Sequence, residues 1–362
     1  MKIGIRADAS AAIGIGHVMR CLTLADALRD GGADIFFICK RLQGDLGDYI
    51  SQRGYAVHFL AGDPEPDDDA LQCGALLERH GGAVDWLVVD HYGIDAGWES
   101  ALRLRARKIL VIDDRADRRH DCDALLDQNY YIGMERRYDG LVPPSCRQWL
   151  GPRHALLRAE FETARRRLRR RDGSVRRILV FFGGSDPTNE TEKALLALQA
   201  LDLPGLHADV VVGAANQQKE RIEQLCGSVP GAVFHCQISH IAELMAEADL
   251  ALGAGGTATW ERCFLGLPTL TVTVADNQEE TTAALAEAGV IWNLGPASGT
   301  SAESIRAALR RVLADPEAVR EKSAAALRLM AGGEDENAHP GAAAGLARWM
   351  FAERRDDAHN TV

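Results

Sequence analysis

No apolar run in the chain approaches the ~18 residues needed to cross a bilayer, which argues against membrane insertion. There is no C-x-x-C pair either. The eight cysteines (21, 39, 73, 122, 146, 226, 236 and 263) are scattered, several of them inside apolar runs. That usage fits buried free thiols in a reducing cytoplasm better than a disulfide framework. His120-Asp121-Cys122 and His235-Cys236 lack partners at ligand spacing, so no metal is expected. Neither a G-x-x-x-x-G-K-S/T loop nor a full G-x-G-x-x-G fingerprint occurs, which counts against an NTPase and a dehydrogenase. The opening Met-Lys-Ile-Gly-Ile-Arg reads straight into a strand, without the apolar stretch and cleavage site of a secretion signal. Excess positive charge is missing as well. A formal charge of −11 argues against nucleic acid as a partner. An anionic ligand then has to be held by local features such as helix N-termini.

What is present is a soluble, globular composition, 46% hydrophobic and 26% charged, over 362 residues. That length suits two domains of roughly 150–170 residues. Strand-like runs at 2–7, 34–40, 55–60, 86–91, 108–113 and 124–127 alternate with helical runs at 17–30, 44–53, 69–80 and 97–106. This rhythm predicts a parallel sheet covered on both faces. The acidic segment Asp63-Pro64-Glu65-Pro66-Asp67-Asp68-Asp69 is expected as a solvated loop. A basic run, Arg165 to Arg171, is expected as the solvated end of a linker helix over 156–172. The rhythm restarts at 177, with strands at 177–182, 207–213, 233–236, 250–253, 269–274 and 290–294. Helices are expected between them, and again over 300–355. The fold class is therefore α/β, with two Rossmann-like domains facing across a cleft. The expected boundaries are 1–155, 173–335 and a C-terminal helix and tail over 336–362.

Chemistry concentrates where strands break into glycine. Gly14-Ile15-Gly16-His17 follows the first strand and precedes a helix marked by Val18, Leu22, Ala25 and Leu28. Such a junction sets bare N–H groups beside an anion, and it sets His17 where ligands sit in open α/β sheets. Histidine exchanges a proton near neutral pH, although in this position it also suits a helix cap. In the second half, Phe182-Gly183-Gly184-Ser185-Asp186-Pro187 ends a strand, with Asp186 an N-cap candidate and Pro187 a first helical residue. Gly253-Ala254-Gly255-Gly256-Thr257 does likewise, and Glu261 follows on the face of Thr257. A carboxylate there can accept both hydroxyls of a ribose while the helix start holds a diphosphate. Asp90-His91-Tyr92-Gly93 and Asp276-Asn277-Gln278 end further strands and offer a phenol, an imidazole and carboxamides. A helix cap is the plainer reading of Asn277, and a core aromatic that of Tyr92.

These motifs carry a family resemblance. Arg6-Ala7-Asp8-Ala9 with Ile13 to Arg20, Asp90 to Gly93, Gly151 to Phe161, Phe182 to Asp186, Gly255 to Glu261 and Asp276 to Glu279 occur in one order. Over roughly residues 1–295 the chain resembles the UDP-2,4-diacetamido-2,4,6-trideoxy-β-L-altropyranose hydrolases of pseudaminic acid biosynthesis. The resemblance implies the two-domain fold of B-type glycosyltransferases (GT-B). It implies His17 as general base and Gly14, Gly16, Arg20, Tyr92, Asn277 and Gln278 around the sugar. Gly183, Gly184, Gly256 and Thr257 would border the diphosphate, and Glu261 would bind the ribose. The helix after Gly256 carries Thr-Ala-Thr-Trp, in a region where members of the family differ.

The implied reaction is metal-independent hydrolysis of an anomeric C–O bond with inversion, without a cofactor. The implied ligand is a UDP-linked diacetamido-trideoxy-hexose, in the cytoplasm and without need of an oligomer. UDP leaves as a stable anion, so N–H groups can replace the protonated acid of ordinary glycosidases. Three rivals stand beside it: a glycosyltransferase on the same fold, a non-catalytic nucleotide-sugar sensor and a UDP-sugar 2-epimerase.

Overall fold

The structure, a computed structural model, describes residues 1–10, 13–331 and 341–359. Two compact units are present. The first comprises Met1–Asn129, Gly133–Leu157 and the C-terminal helix Ala342–His359; the second takes up Tyr130–Ile132 and the chain from Arg158 onward. The boundary expected near residue 335 lies outside the described residues.

The first unit is a seven-stranded parallel sheet, β1 (Lys2–Ala7), β2 (Asp34–Cys39), β3 (Ala56–Phe59), β4 (Val84–Asp90), β5 (Ala106–Ile112), β6 (Ala124–Asp127) and β7 (Arg147–Leu150). Their order in space is β3-β2-β1-β4-β5-β6-β7. These strands read as continuous apolar runs because helices cover both faces. On one face Ile3, Ile5, Phe37, Trp86 and Val88 pack on Val18, Cys21, Leu22, Ala25 and Leu28 of the helix Gly16–Asp30. The C-terminal helix joins that face through Ala343, Leu346, Ala347 and Met350. On the other face Phe36, Ile38, Leu87 and Val89 meet Cys73, Leu77 and Trp98. Chain order reverses between β1 and β4, where Ala7 lies opposite Asp90 at the carboxyl ends. That switch point is where open α/β sheets receive ligands.

The second unit repeats the plan with six parallel strands, β8 (Arg177–Phe181), β9 (His207–Val212), β10 (Ala232–Cys236), β11 (Leu250–Ala254), β12 (Thr269–Thr273) and β13 (Trp292–Pro296). The order is β10-β9-β8-β11-β12-β13, and its switch point sets Phe181 opposite Gly253. Both glycine turns of this half leave the sheet there.

Four expectations need correcting. The acidic stretch is not all loop, since the helix Pro66–Arg79 begins within it. Asp69 is buried, and its carboxylate accepts from the buried Arg6 guanidinium at 2.7 Å and from Trp98 Nε1 at 3.0 Å. The basic run is a solvated helix end only in part: Arg166, Arg167, Arg169 and Arg170 are exposed. Its helix, Ala159–Arg166, stops early, and Arg171 is buried, donating to the carbonyls of Ala248, Leu265, Gly266 and Met245 at 2.6–3.0 Å. Five donors on a planar fork suit such a cluster of carbonyls. Asp186 does cap a helix, but from further off. The helix Glu190–Leu201 starts after Asn189, and the Asp186 carboxylate accepts from the Glu190 and Thr191 N–H groups at 3.0 and 2.8 Å. Strand β7 was not foreseen: Arg-Gln-Trp-Leu lacks an apolar run because β7 is an edge strand, partly open to solvent.

Candidate active site

In the first unit the loop after β1 closes on itself. The Gly14 N–H donates to the Ser10 carbonyl at 2.8 Å, with φ of +86° at Gly14, a backbone that favours glycine. Gly16 opens the helix, whose first turn has no side-chain cap. His17 is therefore no cap, and its ring turns instead to the end of β4. Nδ1 lies 2.5 Å from Asp90 Oδ1. Arg20, one turn on, donates to the same carboxylate through Nε (2.6 Å to Oδ2) and Nη2 (2.6 Å to Oδ1), and Nη1 reaches Asp114 Oδ2 at 3.2 Å.

The electrostatics follow from burial. Asp90 is buried, which by itself would raise its carboxyl, but Arg20 and then His17 hold it well below the usual carboxylate range. Asp90 is thus an anion that must take a proton-bearing Nδ1 from His17. Arg20 Nη2 also lies 3.1 Å from Nδ1. With the nearer Asp90 oxygen, at 2.5 Å, taking the Nδ1 proton, the lone pair falls on Nε2, which has no partner among the described residues. The Tyr92 ring stands edge-on to the imidazole at 4.6 Å. Burial and the neighbouring Asp114 push the Tyr92 phenol up, so it stays a neutral donor.

Arg20 was expected against the sugar. It is buried and bonded to Asp90 and Asp114. Asp90 was quoted in a motif without a role, and only the pairing of β1 with β4 brings it to His17.

In the second unit the turn after β8 has φ of +98° at Gly183, and space for a Cβ is open at both Gly183 and Gly184. The Gly184 carbonyl accepts from the Gly213 N–H at 3.0 Å, and a Cβ at Gly213 would stand 2.5 Å from that oxygen. Gly213 is thus required by the close approach of two loops, which no spacing in the sequence announces. The turn after β11 is braced from outside. A Cβ on Gly255 would meet Thr282 Oγ1 at 2.5 Å and Gln278 Cβ at 3.3 Å, while Gln278 Oε1 accepts from the Val274 N–H of its own loop at 3.1 Å. Gln278, expected on the sugar, packs beside the turn, and Asn277 next to it is exposed. Thr257 is exposed, and its hydroxyl makes no capping bond to the seven-residue helix Ala258–Phe264.

Under the same turn lies Arg262, unforeseen in the sequence. It is buried, and Nη2 donates to the Ala254 carbonyl at 2.6 Å while Nε and Nη1 have no partner. Burial lowers its pKa to about 10, which leaves it charged at neutral pH. Glu261 is 18% exposed, with Oε1 3.2 Å from Arg158 Nη2. Burial pushes its carboxyl up, and Arg158 opposes that rise. Among the described residues no group of three His, Cys, Asp or Glu side chains could hold a metal ion, and no helix is long and apolar enough to cross a membrane.

Two parallel α/β units, each opening glycine turns at its switch point, make this a protein of the GT-B fold. Residues 178–337 match the glycosyltransferase family 28 C-terminal domain. Over its whole length the fold is similar to that of MurG from Acinetobacter baumannii, with a TM-score of 0.65 at 14% identity, covering 97% of this chain and 99% of that one. In sequence the chain is 29% identical over 294 residues to the UDP-2,4-diacetamido-2,4,6-trideoxy-β-L-altropyranose hydrolase of Campylobacter jejuni, covering 80% of this chain and 97% of that protein. It is 26% identical over 298 residues to the spore coat polysaccharide biosynthesis protein SpsG of Bacillus subtilis, covering 82% and 84%. The resemblance read from the motifs is thus found along four fifths of the chain.

Proposed function

We propose that the chain hydrolyses UDP-2,4-diacetamido-2,4,6-trideoxy-β-L-altropyranose, releasing UDP and the free sugar for pseudaminic acid biosynthesis in the cytoplasm. The observation that carries this reading is the imidazole held by Asp90 on Nδ1 and open on Nε2. A histidine so oriented is a general base in waiting. His17 Nε2 takes a proton from water, the water oxygen bonds the anomeric carbon, and the C1–O bond breaks with its electron pair going to UDP. Attack opposite the leaving group inverts the anomeric centre. Proton loss from His17 to solvent resets the site.

The second unit would hold the nucleotide. Gly183, Gly184, Gly256 and Thr257 would present backbone N–H groups to a diphosphate, and the Arg262 cation beneath the β11 turn would favour negative charge. Glu261 would accept the ribose hydroxyls. In this reading no metal is needed to stabilise the departing UDP.

The test is product analysis by mass and NMR on UDP-linked diacetamido sugars, with and without acceptor alcohols. The expected outcome is UDP and a free hexose without any acceptor, at a rate unchanged in EDTA. Turnover that requires an acceptor would make the chain a transferase. A rate lost in EDTA and restored by Mg²⁺ or Mn²⁺ would overturn the mechanism.

A further inference from the structure

We propose that Arg158 is a positioning residue for nucleotide recognition, holding the Glu261 carboxylate in the orientation that receives the hydroxyls of a ribose. The inference rests on the functional reading above and extends it to a motif, Arg158-Ala159-Glu160-Phe161, that the reading leaves without a role.

Arg158 immediately precedes the helix Ala159–Arg166, in extended backbone with φ −62° and ψ 147°. Three residues on, Phe161 is fully buried, and the helix packs against the helices Ile241–Glu247 and Ala258–Phe264. The Arg158 guanidinium carbon sits 5.1 Å from the centre of the Phe161 ring. Its fork is divided between two carboxylates: Nη1 lies 2.6 Å from Glu160 Oε1 and Nη2 lies 3.2 Å from Glu261 Oε1. The Glu160 contact is an ion pair without hydrogen-bond geometry, so the directed bond of the fork is the one to Glu261.

Only one Glu261 oxygen is engaged; Oε2 has no partner among the described residues, and the side chain is 18% exposed. A half-buried carboxylate with one oxygen anchored and one free is preset for a diol. The neighbouring cation, Arg262, is turned to the Ala254 carbonyl and Thr259 Oγ1, so Arg158 is the cation bonded to Glu261. Without it Glu160 and Glu261 would be two half-buried acids close to each other, each with its charge disfavoured by burial. Glu261 would then swing away or take up a proton, and lose its value as an acceptor.

Calorimetry with UDP and 2′-deoxy-UDP separates positioning from a structural tie. Wild type is expected to prefer UDP by about tenfold, the worth of one charge-assisted hydrogen bond. Arg158→Met should remove most of that preference through UDP, with 2′-deoxy-UDP affinity changed less than about threefold. Glu261→Gln should behave alike, and the double variant should lose no more than either single one. Arg158→Lys, a point charge without the fork, should fall between, and it serves as the test if Arg158→Met does not fold. An unchanged preference in a folded Arg158 variant, or equal losses for both ligands, would overturn the proposal. A ¹³C carboxyl titration of Glu261 in the ligand-free protein adds a readout that needs no nucleotide. Its midpoint should rise in the Arg158 variant, and a midpoint that stays put counts against positioning. Should wild type bind neither nucleotide, the functional reading fails, and this titration alone decides the role of Arg158.

Discussion

His91 has both ring nitrogens occupied: Nδ1 accepts from the Gly93 N–H at 3.0 Å, and Nε2 faces Asp8 Oδ2 at 3.3 Å. It has no lone pair left for water, whereas His17 keeps Nε2 open. His17→Asn should therefore keep the fold and UDP affinity and lose about 10²–10⁴-fold in UDP release, the usual contribution of a general base. His91→Asn should stay within a few-fold of wild type. The check is UDP release by purified variants with matched melting temperatures, and an active His17→Asn would move the base elsewhere. His17 could be picked out of the sequence because a glycine loop, a helix start and a titratable side chain coincide within four residues. Asp90 could not, because it stands 73 residues away and becomes a partner only through the register of β1 on β4. The Arg20 contacts were hidden for a related reason. It shares the helix face of His17, and the carboxylate that draws the ring draws the guanidinium too.

Strands and helices came through in the sequence wherever apolar periodicity was strong, as in β1, β4, β8 and β11. Misreadings cluster where charge is buried, at Asp69 and Arg171, since a charged run reads as solvated until its partners are known. The ends of β5 and β6 hold another such case. The Tyr138 hydroxyl lies 3.0 Å from Asp113 Oδ2 and 3.1 Å from Asp127 Oδ2, and its single proton cannot serve both. Asp113 is paired with Arg118 at 3.0 Å, whereas Arg137 stands further from Asp127, at 3.6 Å, so Asp127 is the acid that keeps a proton. Burial pushes Asp127 up to about 7. An acid whose folded pKa exceeds its unfolded value binds its proton more tightly in the native state. Its contribution to stability is full below about pH 4 and is lost as pH rises toward 7. Asp127→Asn, which carries its own N–H donor, should thus raise the melting temperature at pH 8 and flatten the decline between pH 4 and 7. Melting curves across that range decide it, and a variant less stable than wild type at pH 8 would show that Asp127 works as an anion.

At the scale of the whole chain, the first unit is not complete until its last helix has been made. The polypeptide builds β1 to β7, goes on to the second unit and then supplies Ala342–His359 to the first. Periodicity over 300–355 announces a helix there but carries no address for it. The packing does: Met350 is fully buried among Ile3, Val18, Trp86 and their neighbours, and Trp86 Nε1 donates to the Met350 carbonyl at 3.2 Å. Trp349 adds ring contacts to Trp149 at 4.5 Å and to Trp86 at 5.4 Å. Met350→Ala deletes a buried side chain at the centre of this contact and should cost about 2–5 kcal/mol, from lost burial and the cavity left behind. The backbone carbonyl that Trp86 uses survives the change, so the loss is one of packing. With Trp260 and Trp292 of the second unit replaced by Phe, the four remaining tryptophans all belong to the first unit, and denaturation followed by their fluorescence should move to lower denaturant. Nucleotide affinity, carried in our reading by the second unit, should stay near wild type in the absence of denaturant. An unchanged fluorescence midpoint would mean that the C-terminal helix adds little to the first unit. A fall in UDP affinity in folded protein would mean that the helix supports the nucleotide site as well.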